Sequence, residues 1–307
     1  PPPEKARFFV GFRLPSLETS RYQKSGVPGI ASNCRRGAWR PMKIIGASPF
    51  PLTPVSTFVS NHRAMSKLLD GKTAIVTGAS QGLGLAISTA LCADGASVLL
   101  VAREEEKLAA AAAGLQDSGW QATAMVADVT VEGAADDIVA GALSEFGRLD
   151  ILVNNAGVFV WKKLFELDYA DWSRTIDTNL GAPFHMTRIA GKTMADQGAG
   201  GSIVNIASIH GQVGDPNVVA HCASKFGLVG LTKASADALR EHEIRVNAIA
   251  PGAIDSNSLD RWGAGPNQKV TQADIASLAV YLVSDYSKSV TGSVIEMYGS
   301  THSVIKI

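Results

Sequence analysis

From residue 69 onward, short apolar runs alternate with longer, half-apolar stretches. Runs rich in Val and Ile fall at 73–77, 97–102, 122–127, 151–154, 202–207, 245–249 and 293–297. They are near-continuously apolar, the pattern of strands covered on both faces. Helix-like stretches lie between them at 84–93, 104–116, 131–146, 168–195, 224–241 and 272–283. The last opens with Thr271-Gln272-Ala273-Asp274, a spacing that satisfies orphan amides at a helix start. Such alternation with short connections implies parallel strands joined by right-handed crossovers. The predicted fold is α/β: a single doubly wound parallel sheet of about seven strands, spanning residues 67–307.

Residues 1–66 follow no such period. They open on three prolines, scatter others including Pro15, Pro28, Pro41, Pro51 and Pro54, and are rich in Arg and Ser. Transit peptides share this acid-poor composition, so the segment is expected to be an irregular, disordered leader or an upstream extension, with Met65 as an alternative start. The compartment expected is cytoplasmic, or organellar (mitochondrion or plastid) if the leader is genuine. Charge is divided along the same boundary. The 307 residues carry 28 basic and 28 acidic groups, but the first 66 hold ten Lys/Arg against Glu4 and Glu18 alone. The remainder is therefore acidic, which gives no support for nucleic acid as a partner. No run approaches the length of a membrane span. The three cysteines, Cys34, Cys92 and Cys222, are odd in number and lack CxxC spacing, which argues against a disulfide framework or a thiolate metal site.

The first chemistry-bearing motif links the first strand to the first helix: Thr77-Gly78-Ala79-Ser80-Gln81-Gly82-Leu83-Gly84. Glycines here permit a tight turn and let backbone amides approach a pyrophosphate at the helix N-terminus. The strand before it and the helix after it supply the required context. Its Gly-x-x-x-Gly-x-Gly spacing resembles that of the short-chain dehydrogenase/reductase family. Further matches follow in order: Asp128-Val129 after the third strand, Asn154-Asn155-Ala156-Gly157 after the fourth, Asn179 in Thr178-Asn179-Leu180-Gly181, Ser208 after Asn205-Ile206-Ala207, and Pro251-Gly252 after the sixth strand. The resemblance covers nearly all of 67–307 and is closest to 3-oxoacyl reductases. It implies a Rossmann-like fold and a nicotinamide dinucleotide held by Gly78, Ser80, Gln81, Gly82, Leu83, Gly84, Asp128, Val129, Asn155, Ala156, Gly157, Lys225, Pro251, Gly252, Ile254 and Ser256. It also implies a homo-oligomer, dimer or tetramer.

Relatives that prefer NAD carry an acid at the end of the second strand. Here that position is Ala102, followed by Arg103. A guanidinium can grip a 2′-phosphate in a fork where a carboxylate would repel it. NADP(H) is therefore expected over NAD(H), with Arg103 as the contact, although the family's second basic position is Gln81 here.

In the family a tyrosine lies thirteen residues after the serine and a lysine four beyond it. Counting from Ser208 reaches His221 and then Lys225. Four residues apart on a helix, the two share a face. By resemblance, Asn179 holds the helix and a proton-relay water, Ser208 stabilises charge on the substrate oxygen, and Lys225 binds the nicotinamide ribose. His221 stands where the phenol would donate or accept the proton. The nearby Lys225 ammonium disfavours imidazolium, leaving a neutral ring that accepts a proton better than it gives one. Oxidation is then favoured over carbonyl reduction. His210 is a second imidazole close to Ser208, read first as pocket wall; no third ligand has credible spacing, so no metal is expected. His185 is expected to serve packing or an interface. Between Gly252 and Gln272 the connection is shorter than the family's lid segment, and Ser256 falls where relatives meet the nicotinamide amide.

The leading functional expectation is an NADP(H)-dependent oxidoreductase interconverting a secondary alcohol and a ketone, with a small-molecule substrate and no membrane partner. Two alternatives stay open: a catalytically impaired cofactor-binding homologue, and a non-redox isomerase or cyclase on the same fold.

Overall fold

The computed structural model describes residues 67–254 and 270–298. The expected leader at 1–66, Ser256 and the connection around it lie outside the described residues, as do the residues beyond Tyr298.

Seven strands run parallel in one sheet: β1 (Thr73–Thr77), β2 (Ser97–Ala102), β3 (Ala122–Val126), β4 (Ile151–Asn154), β5 (Gly201–Ile206), β6 (Ile244–Pro251) and β7 (Val294–Met297). Their order across the sheet is β3-β2-β1-β4-β5-β6-β7. The chain therefore reverses its direction of winding between β1 and β4, and the crevice at such a reversal is where open α/β sheets take ligands. All five residues of β1 are buried, as an apolar run must be when helices cover both faces. At the edge, β3 alternates instead, with Thr123 and Met125 half-buried and Ala124 and Val126 exposed.

The two faces carry separate cores. On one, Ala74 and Val76 of β1 pack with Ile87 and Leu91 of α1 (Gly82–Ala93), Leu108 of α2 (Glu105–Asp117) and Ile275 and Leu282 of α7 (Gln272–Val283). On the other, Ile75 packs with Ile138 of α3 (Ala134–Phe146), Met186 and Met194 of α5 (Ala182–Gln197) and Ala236 of α6 (Val219–Ala238). Helix α4 (Tyr169–Ile176) packs outside α6. The capping box at Thr271 and Asp274 is formed, with both reciprocal bonds made. Among the described residues no helix is long and apolar enough to cross a membrane.

Two helices differ from the sequence reading. The stretch 168–195 is three pieces: α4, a π-helical turn at Asp177–Gly181, then α5. Pro183 supplies the cause. It has no N–H to return to the carbonyl of Asn179 four residues back, and the chain closes a wider loop, the Ala182 amide bonding Asp177 O. The second difference is α6, which begins at Val219 and not at 224. Its N-cap is Val218, which has no side-chain oxygen to mark the start.

Candidate active site

The loops after β1 and β4 meet at the winding reversal and are tied together by Thr77 and Asn155. The Thr77 hydroxyl accepts from the Asn155 and Ala156 amides at 3.0 Å each, and Asn155 Nδ2 donates to the carbonyls of Thr77 (2.9 Å) and Gly78 (3.2 Å). Gly78 and Gly84 are required by crowding. A Cβ on Gly84 would stand 2.2 Å from Gly78 O, and one on Gly78, at φ +66°, would stand 2.9 Å from Ala156 Cα. Gly82 differs: its φ is +57° and a Cβ there would meet no atom within 4 Å. It faces open space at the start of α1, where Gln81 makes no capping bond and the first turn holds no acid. The first amides of α1 are thus left for an anion.

A cleft of about 360 Å³ opens on this turn. Of the residues expected to hold a dinucleotide, Gly78, Ser80, Gln81, Gly82, Leu83, Gly84, Arg103, Asp128, Val129, Asn155, Ala156 and Gly157 line it. The sequence reading missed others on its wall, including Val101, Glu104, Val158 and Thr178, whose residue types carry no cofactor signal of their own. Lys225, Pro251, Gly252 and Ile254 lie outside this cleft, on the β5–β6 side of the sheet's carboxyl edge. Arg103 and Asp128 face each other across one end, 3.6 Å apart, the arginine 68% exposed. Burial pushes the Asp128 carboxyl up, but bonds from the Thr130 amide and hydroxyl, together with Arg103, hold it below its ordinary value. Glu104, also on the wall, is paired with Lys107 at 2.5 Å.

The second group gathers around the start of α6. His221 is 8% exposed and Lys225, one turn on, 6%. Lys225 Nζ donates to the carbonyl of Ile206 at the end of β5, 2.7 Å away. Burial takes its pKa down to about 8. Asn179, wholly buried in the π turn, holds residue 158 at both ends: its Oδ1 accepts from Val158 N (2.8 Å) and its Nδ2 donates to Val158 O (3.0 Å). The same Nδ2 donates to Ser224 Oγ at 3.1 Å and lies 3.5 Å from His221 Nδ1. Thus the wider turn at Pro183 brings Asn179 inward, binding the β4 loop to α6. Ser208 caps the short 3₁₀ turn Ile209–Gly211, its Oγ accepting from His210 N at 3.2 Å, and that turn packs on α6.

The His221 ring lies edge-on to Phe159, centroids 4.8 Å apart, and to His210, 5.7 Å apart. Burial, then the charge of Lys225, then His210 drive its pKa down to about 3, against a hydrogen bond to the Val158 carbonyl that works to raise it. The ring is therefore neutral at neutral pH, as the sequence reading expected. It is a weaker base than that reading assumed, because burial penalises the cation in either direction of proton flow. Among the described residues no group of three or more His, Cys, Asp or Glu is arranged to hold a metal ion.

The pattern of the short chain dehydrogenase family matches residues 72–267. D-threitol dehydrogenase of Mycolicibacterium smegmatis is 38% identical over 239 residues, covering 73% of this chain and 90% of that protein. The 3-oxoacyl-[acyl-carrier-protein] reductase of Chlamydia muridarum is 35% identical over 246 residues, covering 76% of this chain and 99% of the reductase. Among solved structures, a short-chain type dehydrogenase/reductase from Mycobacterium marinum superposes with a TM-score of 0.72 at 31% identity, covering 76% of this chain and 97% of that one. The sheet order, the glycine turn and these similarities agree, and the chain belongs to the short chain dehydrogenase family, whose members are oxidoreductases that use nicotinamide cofactors.

Proposed function

We propose that this protein is an NADP(H)-dependent oxidoreductase interconverting a secondary alcohol and a ketone, with His221 in the place of the acid/base tyrosine. The observation that carries this reading is the buried pair on α6: Lys225 anchored to Ile206 O and His221 one turn before it, at the same sheet edge as the uncapped start of α1. Burying an ammonium is costly, and nothing in the packing requires one there. A dinucleotide fits the residues present. The open amides at Gly82–Leu83, with Ser80 and Gln81, suit its pyrophosphate; Asp128 and Val129 suit its adenine; Arg103 suits a 2′-phosphate. Asn155, Ala156 and Gly157 support its middle, and Pro251, Gly252, Ile254 and Ser256 its nicotinamide end.

When bound, the cofactor supplies or accepts a hydride. Lys225 would hold the adjoining ribose, and the Ser208 hydroxyl would donate to the substrate oxygen where negative charge develops. His221 would take the alcohol proton. With its pKa near 3 it has no proton to give at neutral pH, so ketone reduction lacks a ready acid and oxidation is the favoured direction. Homo-oligomerisation is part of the proposal, because Trp172 of α4, Phe184 of α5 and Phe226 of α6 leave aromatic surface exposed.

The test is a panel of secondary alcohols and ketones assayed with the full chain beside His221→Tyr. The tyrosine variant is expected to reduce ketones about 10²–10⁴-fold faster, the range for restoring a general acid. Absence of turnover by both proteins, with dinucleotide bound, would overturn the reading in favour of a cofactor-binding protein without redox activity.

A further inference from the structure

His221 is almost enclosed, so any proton it takes must leave through a neighbour. Asn179 is no destination: its two Nδ2 hydrogens already go to Val158 O and Ser224 Oγ, and an amide holds no further proton. Ser224 donates to the His221 carbonyl. Lys225 is already cationic or hydrogen-bonded to Ile206 O, and its charge repels an imidazolium. Phe159 closes another side. What remains is His210, whose ring stands 5.7 Å from that of His221 at an interplanar angle of 83°. At that centroid spacing a single water would span the two rings.

Behind His210 stands a carboxylate. Asp215 Oδ2 lies 3.7 Å from His210 Nε2, with the two side chains 12% and 24% exposed. The other oxygen, Oδ1, accepts from Asn217 N at 2.8 Å and Asn217 Nδ2 at 3.0 Å, so the carboxylate is fixed with Oδ2 toward the ring. We propose that His210, paired with Asp215, is the proton-exchange partner of His221, making the acid/base device of this site a two-imidazole relay that opens to solvent past Asp215.

This rests on the oxidoreductase reading above. During alcohol oxidation the substrate O–H breaks and its proton goes to His221. The carbinol hydrogen would leave with its electron pair as hydride, for which a bound nicotinamide would be the acceptor, as the C=O bond forms. The proton passes to His210, is held as an ion pair with Asp215, and is released to water, returning both rings to neutral. Among the described residues, the titratable groups that the structure places against His210 are Asp215 from its own loop and His221 from α6, with Lys225 acting on His221 from one turn beyond. Burial lowers the His210 pKa and Asp215 opposes that. The charged ring is thus favoured toward acid pH, where reduction should speed up as oxidation slows.

The experiment joins a readout independent of turnover to one that depends on it. Histidine signals of the full chain, isotope-labelled and without cofactor, are titrated by NMR in the wild type and in Asp215→Asn. The His210 transition is expected to move to lower pH in the variant, with the His221 signal following the His210 titration. In alcohol oxidation, His210→Asn is expected to lower kcat about 10²-fold with KM unchanged, and free imidazole to restore part of the loss. A His210 titration indifferent to Asp215, or a His210→Asn enzyme within twofold of wild type across pH, would overturn the relay. If no alcohol or ketone is turned over while the coupled titration is present, the paired imidazoles stand and the oxidoreductase reading fails.

Discussion

Two groups one turn apart on α6 titrate at lower pH than they do in water. Burial takes the Lys225 pKa down to about 8 in the fold from its ordinary value of 10.5. Between those pH values the unfolded chain binds more protons than the folded one, so this side chain adds stability as pH rises through the window. Below about pH 8 its penalty is constant, on the order of 3 kcal/mol. Lys225→Met removes that penalty and loses one hydrogen bond to Ile206 O, a net contribution of about 1 kcal/mol. The variant is predicted to be more stable than wild type at pH 7 in urea denaturation, with the gap narrowing toward pH 10, while NADPH affinity falls. A variant less stable at pH 7 would contradict the assigned burial cost. His221 acts at the acid end. Its folded pKa of about 3 lies below the ordinary value of 6.5, so stability is lost as pH falls through that range. His221→Asn is predicted to flatten this loss, seen as a smaller drop in Tm between pH 7 and 4.5. At this scale the sequence offers candidates where a residue type is itself the signal: Ser208 stands in a motif, and counting from it reaches His221 and Lys225, which the fold buries one turn apart on α6. Val158 and Phe159 were not, since a backbone carbonyl and a ring edge become part of the site only through folding.

At the scale of elements, the turn from β1 into α1 separates crowding from binding. Gly84→Ala drives a methyl into Gly78 O and the Asn155 amide, so it is predicted to cost roughly 2–3 kcal/mol of stability as an overpacked position. Gly82→Ala meets no neighbour and bears only the strain of a left-handed residue, about 1–2 kcal/mol. Its methyl points into the space before α1, and dinucleotide affinity should fall far more than Tm does. Thermal melts with and without NADPH distinguish the two; equal loss of stability in both would refute the division. The same turn shows why the strands were readable. β1, β2 and β4 are apolar runs stopped by Gly, Arg and Asn, and they fall at 73–77, 97–102 and 151–154 as read. Helix ends were readable only where a cap marks them, as at Thr271, and not at Val218. The π turn had a sequence signal in Pro183 that a purely periodic reading passes over.

Across the whole molecule, the winding reversal between β1 and β4 sets the phosphate turn and the α6 pair along one edge of one sheet. Alternation of strands and helices was enough to anticipate that architecture. Substrate shape was not legible, since it belongs to loops whose side chains encode no recognisable pattern. In the proposed function, cofactor choice depends on Arg103. Its pairing with Asp128 is an exposed one, worth little, and leaves the guanidinium free to turn toward a phosphate. Arg103→Asp is predicted to reverse the ratio of NADPH to NADH affinity by at least tenfold, and its NADPH binding should lose salt dependence. The most direct measurement of the central claim is calorimetric titration of the full chain with NADPH and with NADH. The proposed function predicts saturable binding of one dinucleotide per chain, tighter for NADPH and abolished by Gly82→Ala. Failure to take up either dinucleotide would contradict it.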